Sequence, residues 1–510
     1  MPDISLGFTE SQGLVITVKS SAHYQIPYPE KPGRISGSRN MQHGTVDFTE
    51  GSIPSHLIRF SVPMLLGNFL QAMYSTVDSL WVGRYLGPQA LAAVSAGGPV
   101  IHALIALVLG LTVAITTIVA QHWGAKQEDQ VRHIVTNSII LLTIIGMVMS
   151  AAGIVIRRPL LRLINVPPDV FEGASTYLGI YLSGLVVMFL YNAAGSILRG
   201  LGDSRTPLRF LAYATVANIV LDPIFIFGAG PIPRMEIAGV ALATVLSQAL
   251  SAVLALVYLQ KTSGLLTLRR GTWHIDSSVF SLIAKIGIPA SVQQTAVSVS
   301  ALTVNSIVNK FGSTVMAGYG AGLRLDQFAF MPAMSGGLAV TSLVGQNLGA
   351  RREDRVKDSV RWSLILTVGI TATLSLIVLA FPGKLISVFT KDTGVIAVGT
   401  DYLRFAALSY VPYACMFALS GVLRGAGDTV SAMLITLTSL WVVRVPLAAT
   451  LSRLPGFGIN GVWIAIVAGP VAGSILNYAY YKAGRWKRRV VVQRAADVIP
   501  LQDELSDPPS

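Results

Sequence analysis

The sequence predicts an all-α polytopic membrane protein, with twelve transmembrane helices in two six-helix lobes related by a pseudo-two-fold axis along the membrane normal. Three observations carry this. The chain is 52% hydrophobic and 12% charged, with a mean hydropathy of +0.61; soluble domains carry about 25% charged residues. Twelve apolar segments are long enough to span a bilayer. The chain also repeats itself. Leu198-Arg199-Gly200-Leu201-Gly202-Asp203 returns as Leu423-Arg424-Gly425-Ala426-Gly427-Asp428, and Val119-x-Gln121-x-x-Gly124-Ala125 returns as Val344-x-Gln346-x-x-Gly349-Ala350. Both pairs are 225 residues apart, too long a period for a solenoid and the right one for a duplicated half.

Residues 1–50 are polar, hold Pro27, Pro29 and Pro32, and lack the apolar stretch of a secretory signal. They predict a disordered extension that packs on nothing, with Met41 placed to serve as an alternative start. The N-lobe follows over 51–260, with segments near 57–82, 90–121, 134–156, 172–198, 206–229 and 236–259. A polar run with Lys261, Arg269 and Arg270 marks a linker at 261–279. The C-lobe occupies 280–482, with segments near 280–309, 315–346, 361–382, 396–422, 430–453 and 459–481. Residues 483–510 begin basic, end acidic and read as a tail. These runs are too long and continuous for an outer-membrane barrel.

Lys and Arg orient the chain. One set of alternate loops holds Lys126, Arg132, Arg199, Arg205, the linker cations and the run from Arg351 to Arg361. The opposite set is poorer, its main cluster being Arg157, Arg158 and Arg162. The richer set faces the cytoplasm, so a multi-pass protein of the cell's inner membrane with both termini cytoplasmic is expected. The net charge of +13 then matches anionic headgroups and calls for no nucleic acid. The single cysteine, Cys415, excludes an intramolecular disulfide framework and reads as a buried, inert thiol.

Intramembrane acids are the chemistry-bearing residues. Asp78 lies near the end of the first segment, within Tyr74-Ser-Thr-Val-Asp78-Ser-Leu-Trp81-Val-Gly83-Arg84, and its repeat mate is Asn305. A charge at membrane depth costs about 3 kcal/mol on insertion scales, so it needs a cavity, a partner or a proton. The plain alternative is an outer-end pair with Arg84. Asn218 and Asp222 are four apart, so one helical face carries both, and Pro223 frees a backbone carbonyl in the same turn. An acid, an amide and a loosened backbone suit a proton or sodium site; the alternative is a helix-end aspartate. Asp326 either reaches a cavity or pairs with Arg324 or Arg444 across helices. Pro63 and its mate Pro289 predict bent helices, for gating or for packing. The Gly-Asp turns read as a C-cap glycine before an N-cap aspartate, and Gln121 and Gln346 as interfacial caps. His102 reads as a satisfied core residue.

No P-loop, His-Glu-x-x-His or Gly-x-Ser-x-Gly signature occurs. No cofactor or resident metal is expected. A membrane-embedded enzyme has no clustered nucleophile and base here, so an ion gradient is the expected energy source.

The doubled Leu-Arg-Gly-x-Gly-Asp turns and Val-x-Gln-x-x-Gly-Ala loops resemble the multidrug and toxic compound extrusion (MATE) family. Asp78 in its segment and Asn218-x-x-x-Asp222 are similar to its DinF-like prokaryotic branch. The resemblance covers about residues 52–482. It implies a secondary antiporter, a monomer in the bilayer, exporting amphipathic organic cations in exchange for H⁺ or Na⁺ by alternating access. It further implies that Asp78, in a first helix bent at Pro63, and Asp222 line an N-lobe cavity, with Asn218 and the fourth-helix Tyr177 beside them. Other branches carry an acid in helix seven. Here that helix offers Gln293, Gln294 and Asn305 instead, which points to coupling by protons, with any Na⁺ sharing the Asp78, Asn218 and Asp222 site. The competing reading, a flippase for lipid-linked saccharides, needs cavity cations, and only Arg324 and Arg444 offer themselves.

Overall fold

The computed structural model describes residues 4–9, 13–18, 45–261, 264–266 and 275–492. Pro27, Pro29, Pro32, Met41, Arg269 and Arg270 lie outside them. The strands Ile4–Thr9 and Gly13–Val18 pair as an antiparallel hairpin, and they belong to a unit, Met1–Asn40, distinct from the helical body. The sequence reading expected no element there.

Among the described residues, twelve helical passes make the body. In the N-lobe they are α1 (Ile53–Trp81), α2 (Gly87–Gly124), α3 (Glu128–Leu163), α4 (Pro168–Ser183 and Leu185–Gly200), α5 (Arg205–Phe227) and α6 (Glu236–Lys261). In the C-lobe they are α7 (Ser277–Val308), α8 (Ser313–Gly349), α9 (Glu353–Ala380), α10 (Thr393–Ala426), α11 (Thr429–Leu451) and α12 (Gly458–Lys482). Among the described residues, nine helical runs are long and apolar enough to cross a membrane alone. One of these, Ile53–Gly124, holds both α1 and α2, which join through a π turn at Val82–Leu86. The two pieces of α4 qualify together, bent by 47° at Gly184. Only α7 falls outside that measure, because Gln293 and Gln294 dilute its middle.

The repeat dictates matched ends. Glu128-Asp129 and Glu353-Asp354 open α3 and α9, where carboxylates meet the positive end of the helix dipole. The turns before them place Lys126 and Arg351 at φ +59° and +58°. Gly202 and Gly427 both sit at φ +85°, and the following Asp203 and Asp428 accept backbone N–H bonds from α5 and α11. The Gly-Asp turns are therefore caps, as read from the sequence.

The two lobes exchange helix starts. The first half of α1 packs Leu57 and Phe60 against Ala339, Val340 and Leu343 of α8, while Ile283 and Ile286 of α7 join the N-lobe core around Leu111 and Ile115. Both α1 and α7 begin at the end of the bundle that carries the termini, so the lobes run the same way.

Two boundaries are corrected. Residues 45–50, placed in the extension, are folded: Phe48 is wholly buried and its N–H donates to Gln346 Oε1 at 2.9 Å. The start of the tail is also packed, with Trp486, Val490 and Val491 buried. Each segment presents an apolar side chain to a lobe, and that burial overrides its polar composition.

Candidate functional site

The acids gather in the N-lobe, in the half of the bundle away from the termini. Asp78 lies in the last turn of α1, and Tyr74 lies one turn before it on the same face. Asn218 and Asp222 stand likewise on α5, both wholly buried. The Asn218 Nδ2 donates to Asp222 Oδ1 at 3.3 Å. The Asp78 and Asp222 carboxyl groups come within hydrogen-bonding reach of each other. Asp78 Oδ1, Asp222 Oδ2, Asn218 Oδ1 and the Tyr74 hydroxyl are all buried without a hydrogen-bond partner. A buried polar atom left unpaired costs about 1–3 kcal/mol, so four in one cluster mark a place built to receive something.

The chemistry of the donors says what fits. Two carboxylates and an amide oxygen are hard, acceptor-only atoms. One proton between the carboxylates turns two repelling acceptors into a donor and an acceptor. A small hard cation suits the same oxygens. Among the described residues, no group of three or more His, Cys, Asp or Glu could hold a metal ion.

Tyr177 is buried near both acids and stacks on Tyr181, with ring centroids 6.3 Å apart. The sequence did not single out Tyr74 or its neighbour Thr244. The available signal for Tyr74 was its spacing of four from Asp78, which repeats the spacing of Asn218 from Asp222. The pairing of Asp78 with Arg84 does not form; Arg84 instead sits 5.9 Å from the Tyr85 ring centroid. Pro63 lies inside α1 without ending it, and is buried.

The C-lobe is built differently. Asp326, nearly fully buried on α8, accepts from the Tyr402 hydroxyl and from the Tyr410 hydroxyl at 2.7 Å, both on α10. This replaces the expected pair with Arg324 or Arg444. Arg324 points to the Phe389 ring, 6.0 Å away. Arg444 on α11 is buried as well but makes no ion pair with Asp326; the two phenols reach the carboxylate because α10 packs directly on α8. Asn305 is exposed and joins no cluster, and His102 is exposed rather than in a core.

The lobes are held together at the termini end. Gln121 Nε2 donates to the Gly425 carbonyl at 2.8 Å, and Gln346 Nε2 to the Gly200 carbonyl at 2.9 Å. Each doubled glutamine thus bonds the doubled Leu-Arg-Gly turn of the other lobe, so neither is the interfacial cap expected. Thr117 adds a bond to the Arg424 carbonyl at 2.9 Å. A Cβ at Gly124 would lie 1.9 Å from the Gln346 carbonyl oxygen, and one at Gly349 1.8 Å from that of Gln121, which is why both loops need glycine. Near the membrane middle, Asn68 bonds Ser335 at 3.2 Å and Ser291 bonds the Leu107 carbonyl at 2.9 Å. Among the described residues, no hydrogen bond joins the lobes beyond these toward the acid-bearing end.

This duplicated architecture can be compared with known proteins. The family model MatE matches twice, over residues 63–224 and 289–450. The chain belongs to the MatE family. Each match opens on one of the repeat-mate prolines, Pro63 and Pro289, and the first closes two residues beyond Asp222. The family assignment makes this chain a multi-pass membrane transporter. Among relatives, it is 35% identical over 443 residues to the probable multidrug resistance protein YpnP of Bacillus subtilis, covering 86% of this chain and 97% of that one. It is 29% identical to the probable multidrug resistance protein NorM of Thermotoga maritima, over 87% and 95% of the two chains. A solved structure of a MATE transporter in an outward-facing conformation superposes with a TM-score of 0.80 at 24% identity, covering 89% of this chain and 99% of that one. The twelve-helix, two-lobe MatE fold is thus the fold of this chain.

Proposed function

We propose that this transporter exports amphipathic organic cations across the inner membrane in exchange for H⁺, with Na⁺ able to share the same site. Asp78 and Asp222 hold the coupling cation in the N-lobe, Asn218 orients Asp222, and Tyr74 and Tyr177 wall the site. The observation that supports this reading most is the cluster of four unpaired buried polar atoms between α1 and α5. A proton arriving there pairs one carboxylate with the other, and Na⁺ would meet the same carboxylates together with Asn218 Oδ1; either draws α1 toward α5. Its departure leaves two like charges side by side, which favours separation of the helices. α1 is free to respond because Pro63 removes one bond of its ladder. The relatives' names, multidrug resistance proteins, support the drug class.

The Lys and Arg bias supports cytoplasmic termini, so the bonded end closes the path to the cytoplasm and the acid-bearing end faces outward. A monomer suffices, since each chain supplies both lobes. The test is reconstitution in liposomes with a pH gradient and a sodium gradient imposed separately, following efflux of a fluorescent organic cation. Efflux driven by either gradient is expected. Efflux that ignores both gradients would contradict coupled exchange.

A further inference from the structure

The doubled glutamines use only half their hydrogen-bonding capacity on the opposite lobe. The other half goes to the chain termini. Gln346 Oε1 accepts from the Phe48 N–H at 2.9 Å, and Gln121 Oε1 accepts from the Val491 N–H at 2.7 Å and the Val492 N–H at 3.3 Å. Each amide is therefore a hub, with its nitrogen on the far lobe's Leu-Arg-Gly turn and its oxygen on a terminal segment.

The terminal segments also close on the doubled Gly-Asp turns. A Cβ at Gly202 would lie 2.3 Å from the Val46 carbonyl oxygen, and one at Gly427 would lie 2.9 Å from the Val491 side chain. The N-terminal segment thus spans from the N-lobe's Gly202 to the C-lobe's Gln346. The C-terminal segment spans from the C-lobe's Gly427 to the N-lobe's Gln121. Both lie outside the two stretches that match the family model. They are not copies of one another, yet they reach the same two elements of the repeat. Arg355 further fastens the first segment by donating to the Phe48, Glu50 and Gly51 carbonyls at 3.0–3.1 Å.

We propose that residues 45–51 and 486–492 are a matched pair of latches that hold the lobes shut at the termini end. The lobes part there only after both latches release. The physical reason is the shared amide. When a terminal N–H leaves, the glutamine oxygen is stranded in a buried interface, and water must enter to satisfy it. Water beside that amide competes for the cross-lobe bond at its nitrogen, so release of a latch weakens the lobe contact. This inference goes beyond the coupling reading and does not rest on it.

The test reads accessibility without any gradient. Thr117 is wholly buried between the lobes, and Thr117→Cys in a Cys415→Ala background gives a single reporter thiol. Reconstituted protein is treated with a membrane-impermeant maleimide from the termini side. Val491→Pro together with Val492→Pro removes both N–H groups that reach Gln121, and Phe48→Pro removes the N–H to Gln346. Each should raise the labelling rate of Thr117→Cys by roughly tenfold, and the pair should raise it further. A chain ended after Gly484 should match the Val491→Pro, Val492→Pro variant. A second reporter, Ala193→Cys, lies in the core of the N-lobe and should stay unlabelled throughout. Unchanged labelling of Thr117→Cys in all these variants would overturn the proposal. So would equal labelling of Ala193→Cys, because the segments would then hold each lobe's fold together rather than the contact between lobes.

Discussion

Asn218 and Asp222 stand one turn apart on α5, and the Asn218 amide donates to one Asp222 oxygen at 3.3 Å while the other is buried without a donor. The amide divides the carboxylate into a structural half and a working half. Asn218→Ala removes the orienting bond but no charge. The protein should stay folded, and half-maximal efflux should need roughly tenfold more coupling ion, the effect of losing about one hydrogen bond to a charged group. Titrating H⁺ and Na⁺ in proteoliposomes measures this. An unchanged midpoint for both ions would make Asn218 a packing residue.

The Asp326 cluster predicts a stability effect. Tyr410→Phe removes one of two phenol donors from a buried carboxylate, a loss of about 1–3 kcal/mol. Thermal unfolding in detergent should fall by several degrees. Asn305→Ala, at an exposed position, should leave unfolding unchanged. Equal unfolding temperatures for Tyr410→Phe and the parent would mean that Tyr402 alone satisfies Asp326.

The backbone contact between α2 and α8 predicts a steric effect. Gly349→Ala places a methyl 1.8 Å from the Gln121 carbonyl oxygen, so the lobes cannot close as they do here. Overpacking of this kind costs about 1–3 kcal/mol or more. Gly369→Ala, with nothing within 4 Å of its added Cβ, should be neutral or slightly stabilising. Thermal unfolding of the two variants side by side checks this, and equal stability would remove the close approach from the account.

Asp276 predicts a pH dependence outside the membrane. It caps α7, accepting from the Ser278 N–H at 2.8 Å and pairing with His133 at 2.9 Å. Partial burial works against the charged form, but the Ser278 hydroxyl, His133 and the Ser278 N–H outweigh it and hold the carboxyl at about 2. A depressed acid contributes its stability in full above its unfolded value of 3.8, and loses it as pH falls through about 2. Asp276→Ala should therefore cost about 1 kcal/mol at neutral pH. The gap to the parent should hold down to about pH 4 and shrink below it. Thermal unfolding across pH 7 to 3 measures this, and a gap that widens on acidification would show the opposite sign.

The helices, the duplication and the Asn218–Asp222 pair were legible because each follows from local pattern: apolar length, a repeated motif, a spacing of four; the meeting of Asp78 with Asp222 was implied only by the family resemblance. Tyr74 was legible by the same spacing but carries no charge to draw notice. The cross-lobe role of Gln121 and Gln346 was not legible, since a glutamine at a helix end caps or bridges according to what faces it. Asp326 pairs with tyrosines 76 and 84 residues away, a distance that no local pattern spans. The termini misled for a related reason. Their composition is that of a free extension, and only the groove between the lobes gives Phe48 and Val491 somewhere to be buried.

The central claim is that Asp78 and Asp222 carry the coupling cation. Asp222→Asn tests it most directly. An amide is easier to bury than a charge, so the variant should fold, insert and run as the parent does in detergent. Reconstituted and given a pH gradient, it should show no gradient-driven efflux of a fluorescent organic cation, and a sodium gradient should not restore it. Efflux by Asp222→Asn at the parent rate under the pH gradient would contradict the N-lobe site and turn attention to Asp326.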